Sequence, residues 1–265
     1  MTKDLLNKVR KQKPLVHHIT NNVTVNDCAN ITLCTGGLPV MAYDVEEVAQ
    51  MVEAAGALVL NIGTLSPQQV EAMIMAGKRA NQLNIPVVLD PVGVGATSLR
   101  TDSARRILQE VAVTVIKGNK AEISILAGAG GEIKGVESIG EYHDIAQTAT
   151  ALARRQKCTV VVSGQEDIIT DGQQVVLVEN GHSLMGAVVG TGCMSASVTG
   201  CFIAVEDNTV QACAVALAAF GLAGELAAQA PFVNGPGTYK MALFDAMAAL
   251  RQQQLDNSHK IKVIK

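Results

Sequence analysis

Tryptophan is absent from the 265-residue chain, and aromatic residues make up only 3% of it. Platforms that stack nucleobases are built from aromatic side chains, so that mode of binding is not expected. Basic charge is also scarce. The 21 Lys and Arg are outnumbered by 24 Asp and Glu, which leaves a formal net charge of −3. Proteins that hold nucleic acid usually present a basic face, so no such partner is expected. Charged residues are 17% against 48% apolar, which allows a sizeable core and argues against disorder.

Cysteine pairing is lacking as well. Cys28, Cys34, Cys158, Cys193, Cys201 and Cys213 form no CxxC pair, so neither a zinc site nor a disulfide framework is expected. Unpaired thiols among apolar neighbours suit a reducing cytoplasm. No apolar run follows Met1-Thr2-Lys3-Asp4, so no signal peptide is expected. Two stretches, Asn180 to Val205 and Asn208 to Gly224, carry no Asp, Glu, Lys or Arg. A membrane-spanning helix wants about 20 mostly apolar residues. Gly190, Thr191, Gly192, Ser195, Ser197, Thr199 and Gly200 interrupt the first stretch, and Glu225 stops the second. Both are read as helices buried in a soluble core, with no membrane partner.

Short β-branched apolar runs alternate with helical stretches. Leu58–Ile62, Pro86–Asp90, Thr114–Lys117 and Thr159–Ser163 are brief and apolar on both faces, as strands covered on both sides should be. Ser66-Pro67-Gln68-Gln69 opens one helix with an N-cap and a proline in the first turn. Further helices are predicted over Ser138–Gln156 and Thr238–Gln254. The alternation implies a mostly parallel sheet with right-handed crossovers. Asp167–Thr170 and Gln174–Val178, joined through Asp171-Gly172, read as a hairpin. No linker or repeat divides the chain, so one domain over residues 1–265 is expected.

In such sheets, ligands collect at the carboxyl ends of the strands. Asp90 ends a strand there. It either caps its own loop or holds magnesium, which favours one or two carboxylates with phosphates and water. Asn119-Lys120-Ala121-Glu122 has capping-box spacing, which needs no ligand. The functional reading sets Glu122 near Asp90, sharing a metal or its water shell. Gly190-Thr191-Gly192-Cys193 precedes a long uncharged stretch. Glycines there suit a helix start, whose free amides bind anions. Cys193 in that first turn is either a small packing residue or a thiol of lowered pKa. His17 and His18 lack a third ligand nearby in sequence, so local hydrogen bonding is expected of them rather than metal.

Taken in order, His18–Asn21, Asn61–Leu65, Leu89–Val92, Gly118–Glu122, Val189–Cys193 and Gly235–Tyr239 resemble the hydroxyethylthiazole kinase family, a branch of the ribokinase-like kinases. Each segment is weak alone, whereas six in order are specific, and the resemblance covers nearly the whole chain. It implies a ribokinase-like fold: a central, mostly parallel sheet between two helical layers. It also implies phosphorylation of the hydroxyl of 4-methyl-5-(2-hydroxyethyl)thiazole by ATP and magnesium, in thiamine salvage. By resemblance, Asn22, the backbone of Met41 and Gly190 line the thiazole pocket. Lys117 and Ser163 contact the nucleotide, and Asp90 and Glu122 organise magnesium. Gly190, Thr191 and Gly192, continuing to Cys193, form the anion hole. Family members resemble homotrimers with the thiazole pocket between subunits.

Two departures matter. Most ribokinase-like enzymes carry an Asp base where this chain has Cys193, although cysteine is typical of the thiazole kinases. Lys117 stands where Arg is common, keeping the charge without the bidentate fork. The rival readings are a hydroxymethylpyrimidine or sugar kinase of the same fold, and an ATP- or ADP-dependent dehydratase of hydrated nicotinamide nucleotides. A thiol-dependent transferase and a non-catalytic binding module are the alternatives from other classes.

Overall fold

The computed structural model of the chain describes residues 2–128 and 142–264. Its elements run α1 (Leu5–Gln12), β1 (Leu15–Ile19), α2 (Val25–Thr35), β2 (Leu38–Val40), α3 (Val48–Val52), β3 (Ala57–Asn61) and α4 (Pro67–Gln82). Next come β4 (Val87–Asp90), α5 (Ser98–Glu110), β5 (Val115–Asn119), α6 (Lys120–Ala127), α7 (Tyr142–Gln156) and β6 (Thr159–Ser163). The chain closes with β7 (Asp167–Thr170), β8 (Val175–Val178), α8 (Thr191–Ile203), α9 (Thr209–Ala228), α10 (Pro236–Ala249), α11 (Gln252–Ser258) and β9 (Ile261–Val263).

One sheet gathers the strands in the order β2-β1-β3-β4-β5-β6-β7-β8-β9. From β2 to β6 every pairing is parallel, and the hairpin and β9 add antiparallel pairs. Side chains alternate between the two faces of a strand, and here both faces are covered. Val16, Val59, Val88, Val115 and Val161 join a core with α1, α8, α9, α10 and α11. Leu58, Leu60, Leu89, Ile116, Val160 and Val162 join a second core with α3 to α7. The result is the expected α/β architecture, with a sheet between two helical layers.

Local chemistry explains most element boundaries. Ser66 Oγ accepts the Gln69 N–H at 3.2 Å, and Pro67 opens α4. The Gln69 side chain does not return to the cap; its Nε2 donates to Thr20 O at 2.8 Å and ties α4 to the loop after β1. Helix α9 is long and apolar enough to cross a membrane by composition, yet 83% of its apolar window is buried within the fold. Its Ala-rich surface packs against α8 and α10.

Two expectations need adjusting, and a third cannot be compared. The uncharged run from Asn180 is helical only from Thr191, after a 3₁₀ turn at Ser183–Ala187. Gly190, at φ +95°, separates the two. The helix expected over Thr238–Gln254 divides at Leu250–Arg251. Leu250 is buried in an extended conformation there, and the Arg10 guanidinium takes the carbonyls of Met247, Ala248 and Leu250. The expected start of α7 at Ser138 lies outside the described residues.

Candidate active site

Parallel pairing aligns the carboxyl ends of β3 to β6, with Asn61 opposite Asp90 and Asn119 opposite Ser163. Asn21 lies in the loop after β1. Its Oδ1 accepts from the backbone N–H groups of Val23 and Thr24, both at 3.0 Å. Its Nδ2 donates to Asn61 Oδ1 at 2.9 Å, and Asn61 Nδ2 donates to Asp90 Oδ2 at 2.9 Å. The two carboxamides also donate to Cys193 Sγ, at 3.4 Å from Asn21 and 3.3 Å from Asn61. Asn21, Asn61 and Asp90 are all buried.

The end of α8 faces this cluster. Its first internal bond is from Met194 N to Gly190 O at 2.8 Å. The amides of Thr191, Gly192 and Cys193 precede that ladder and meet no acceptor among the described residues. Gly190 must be glycine. Its φ is +95°, and a Cβ would lie 2.5 Å from Thr24 Cγ2. Thr191 Oγ1 donates to Met185 O at 3.0 Å, which pins the preceding 3₁₀ turn to the helix start. Lys117, on β5, is only 2% exposed. Its Nζ lies 3.8 Å from where a Cβ on Gly192 would be, directly beside the open amides. No described residue makes a hydrogen bond or ion pair with that ammonium.

The charges in this pocket are unbalanced. Burial pushes the Asp90 carboxyl up to about 7; the Lys117 ammonium and the Asn61 hydrogen bond pull it down, while Glu122 adds to the rise. Asp167, at the start of β7, is pushed up to about 6 by burial, opposed by the Gly164 N–H and Lys117. A lowered thiol pKa is one of the two sequence readings of Cys193. Instead burial, and then the charge of Asp90, push it above the ordinary thiol value. The hydrogen bonds from Thr24 and Asn61 and the charge of Lys117 pull against that rise without reversing it. A thiol there is protonated at neutral pH.

Glu122 forms the capping box and also lies within electrostatic reach of Asp90. Asn119 Oδ1 accepts Glu122 N at 2.9 Å and Glu122 Oε2 accepts Asn119 N at 2.8 Å, a complete capping box. Its other oxygen accepts Gly93 N at 2.8 Å, which ties the β4 loop to α6 within electrostatic reach of Asp90. Ser163 donates to Gly118 O at 3.3 Å. Together with Thr191 and Gly192, it lines a cavity of about 1130 Å³ that extends to Leu217 and Phe220 of α9.

Asn22 and Met41 lie apart from this cluster. The Asn22 side chain is exposed, and its N–H donates to Thr64 Oγ1 at 2.9 Å; the neighbouring Asn21 is the one that turns inward. Met41 follows β2, three strand positions from β4, and is half-buried. The two histidines are hydrogen-bonded within the protein, only in part locally: His18 bonds the nearby Val16 O, while His17 Nε2 reaches Ala42 O at 2.7 Å and His18 reaches Ser197 Oγ far along the chain. Sequence reasoning missed the roles of Asn21 and Asn61. It also missed Arg100, whose guanidinium donates to Ile62 O, Gly63 O and Val92 O at 2.7–3.0 Å and binds two strand-end loops together. A polar residue closing an apolar strand is the signal that marks Asn61.

The fold is shared with pyridoxal kinase from Staphylococcus aureus bound to AMP-PCP, at a TM-score of 0.63, 17% identity, and coverage of 95% of this chain and 98% of that one. This identifies the architecture as the ribokinase-like α/β fold. Closer relatives refine the class. The structure of the hydroxyethylthiazole kinase protein from Pyrococcus horikoshii OT3 superposes at a TM-score of 0.91 with 39% identity, covering 100% of this chain and 99% of that one. Hydroxyethylthiazole kinase from Thermoanaerobacter sp. (strain X514) is 56% identical over 99% of this chain and 100% of its own length. The same enzyme from Methanosphaerula palustris is 56% identical over 100% of both chains. A model of the hydroxyethylthiazole kinase family matches residues 6–253, and the chain belongs to that family.

Proposed function

We propose that this chain transfers the terminal phosphoryl group of ATP to the hydroxyl of 4-methyl-5-(2-hydroxyethyl)thiazole, serving thiamine salvage. The observation that carries this reading is the open first turn of α8 beside the unpartnered ammonium of Lys117. Three amides and a buried cation form a charge-neutralising seat for a transferring phosphoryl group. Phosphoryl transfer has a loose transition state and depends mostly on positioning and charge stabilisation. Gly190, Thr191 and Gly192 form the anion hole. Lys117 and Ser163 hold the nucleotide, and the apolar end of the adjoining cavity accommodates its base.

Cys193 faces the acceptor hydroxyl. Being protonated, it orients that hydroxyl rather than acting as a strong base. Asn22, the backbone of Met41 and Gly190 line the thiazole pocket. Apolar side chains beside each of these three residues support an intersubunit pocket: Val23 and Tyr43 are each 66% exposed, and Val189 is 73% exposed. Apolar exposure of this kind marks a surface that another chain covers. The assembly proposed is a homotrimer of single-domain chains acting in the cytoplasm, with neither membrane nor nucleic acid as partner.

The donor set fits magnesium. Among the described residues no three His, Cys, Asp or Glu cluster as a protein-only metal cage. Magnesium usually relies on one or two carboxylates completed by phosphate and water. Asp90 has one oxygen free of the Asn61 bond, and its buried charge is undercompensated. Asp90 would hold the ion. Glu122, with both oxygens already taking backbone N–H groups, would meet its water shell. When bound, the ion would neutralise phosphate charge.

The test is to identify the product by mass spectrometry after incubating the chain with ATP, magnesium and the thiazole alcohol. A phosphate monoester of the alcohol is the expected product. Hydrolysis of ATP with the alcohol unmodified would contradict the assignment.

A further inference from the structure

Asn61 fills all four hydrogen-bonding positions of its carboxamide with partners from separate segments of the chain. Its orientation is fixed without reference to any side-chain tautomer. Gly63 N–H is an obligate donor, and it bonds Asn61 Oδ1 at 2.9 Å. The oxygen's second position takes Asn21 Nδ2 at 2.9 Å. The Nδ2 group must therefore face the other way. One of its hydrogens goes to Asp90 Oδ2 at 2.9 Å and the other to Cys193 Sγ at 3.3 Å. Asn21 is oriented in the same manner by the N–H groups of Val23 and Thr24, so its own amide also points at the sulfur. Residue 63 has to be small for this packing, because a Cβ there would lie 2.8 Å from Asn21 Cβ and 3.0 Å from Asn61 Oδ1.

An amide that served only to close a strand end would need the Gly63 bond and a neighbour. This one spends both hydrogens on the two groups that border the phosphoryl-transfer region, one on β4 and one on α8. A buried polar network with every member satisfied is rigid, and deleting one member disturbs the rest. The proposed reaction depends on the acceptor hydroxyl meeting the phosphoryl group in line, and a side chain that holds Cys193 still contributes to that alignment.

We propose that Asn61, braced by Asn21, is a positioning residue that fixes the Cys193 sulfur relative to Asp90 for the transfer step. The inference rests on the kinase reading above. The isosteric variant Asn61→Asp replaces the donating Nδ2 with an acceptor oxygen and keeps the shape. Its kcat should fall about tenfold or more, and KM for ATP and for the thiazole alcohol should stay within about threefold. In a Cys193→Ala background the same substitution should cost less than about threefold in kcat, because the sulfur it positions is gone. Asn61→Ala, which removes the donor without adding charge, should give the same pattern. Equal losses in both backgrounds, or no loss in the Cys193 enzyme, would overturn the proposal.

A second readout is independent of turnover. Cys28, Cys158, Cys201 and Cys213 are buried, so in a Cys34→Ser background Cys193 is the cysteine open to iodoacetamide. Asn61→Asp takes an N–H from the sulfur and sets a carboxylate oxygen against it, so alkylation at fixed pH should slow at least about threefold. An unchanged rate in a folded variant would show that the amide does not hold the sulfur. If the unsubstituted chain phosphorylates nothing, the kinase reading fails, while the alkylation rate still decides the contact itself.

Discussion

At Cys193, burial and then the neighbouring Asp90 charge outweigh the Thr24 and Asn61 hydrogen bonds and the Lys117 charge, so the thiol keeps its proton. A protonated thiol that orients a hydroxyl contributes less than a full general base. Cys193→Ala should therefore lose about 10²-fold or less in kcat, and Cys193→Asp should keep or raise activity. Steady-state kinetics on folded variants checks both; complete loss in Cys193→Ala with substrate binding intact would make the thiol essential. Lys117 has a different role. Its ammonium stands beside the open amides and within electrostatic reach of Asp90 and Asp167, and in the proposed reading it also meets the nucleotide. Lys117→Met should lower kcat/KM for ATP by about 10²-fold or more, and Lys117→Arg should retain most of it. A Lys117→Met enzyme with normal ATP kinetics would remove Lys117 from the nucleotide site. Asp90, closing an apolar strand, and Glu122, in a capping-box pattern, stand out in the sequence, whereas Lys117 is singled out only by the family resemblance. Asn21 and Asn61 could be seen as polar positions, but their convergence on one sulfur depends on where α8 lands, and no local pattern encodes that.

The helices and strands that carry the site differ in how plainly they are written. β3 to β6 and the hairpin are continuous β-branched runs, and α4 has its cap and proline. β1 was hidden by His17 and His18, which are polar by composition but buried and hydrogen-bonded in place. Helix α2 mixes Asn, Asp, Thr and Cys with apolar residues, and β9 is only three residues long. The break before α11 is imposed by Arg10 from the other end of the chain, so its cause is tertiary. In the proposed reading, function depends on the start of α8. Gly190→Ala would force a left-handed backbone on alanine and press its Cβ into Thr24. It should cost about 1–3 kcal/mol of stability and nearly all activity, as read by urea unfolding and turnover. An alanine variant with unchanged stability and kcat would mean that the loop relaxes without disturbing the amides.

Over the whole molecule, His18 of β1 reaches Ser197 of α8, and burial lowers its pKa to about 4 from an ordinary 6.5. Above 6.5 both folded and unfolded chains leave it neutral. Between 6.5 and 4 the unfolded chain takes up a proton that the folded chain refuses, so this contribution to stability is lost as pH falls. The loss reaches about 3 kcal/mol at its limit. Asp90 acts in the opposite direction: its carboxyl is raised to about 7, so its contribution is lost as pH rises toward that value. Comparing the pH dependence of unfolding in the wild type and His18→Gln isolates the histidine. The variant should lose less stability on acidification, and parallel curves would contradict the assignment. The proposed trimer has its own test in light scattering. Val189→Asp puts a charge on an exposed apolar surface, so the mass should fall from three chains to one and KM for the thiazole alcohol should rise, whereas a monomeric wild type would refute the assembly.

The account stands or falls on acceptor-dependent turnover. ADP release is measured on purified chain with ATP and magnesium, in the presence of hydroxyethylthiazole, hydroxymethylpyrimidine or no acceptor. Release with the thiazole alcohol alone, abolished by EDTA, is the predicted result. Release with the pyrimidine alone, or none with any acceptor despite nucleotide binding, would contradict it.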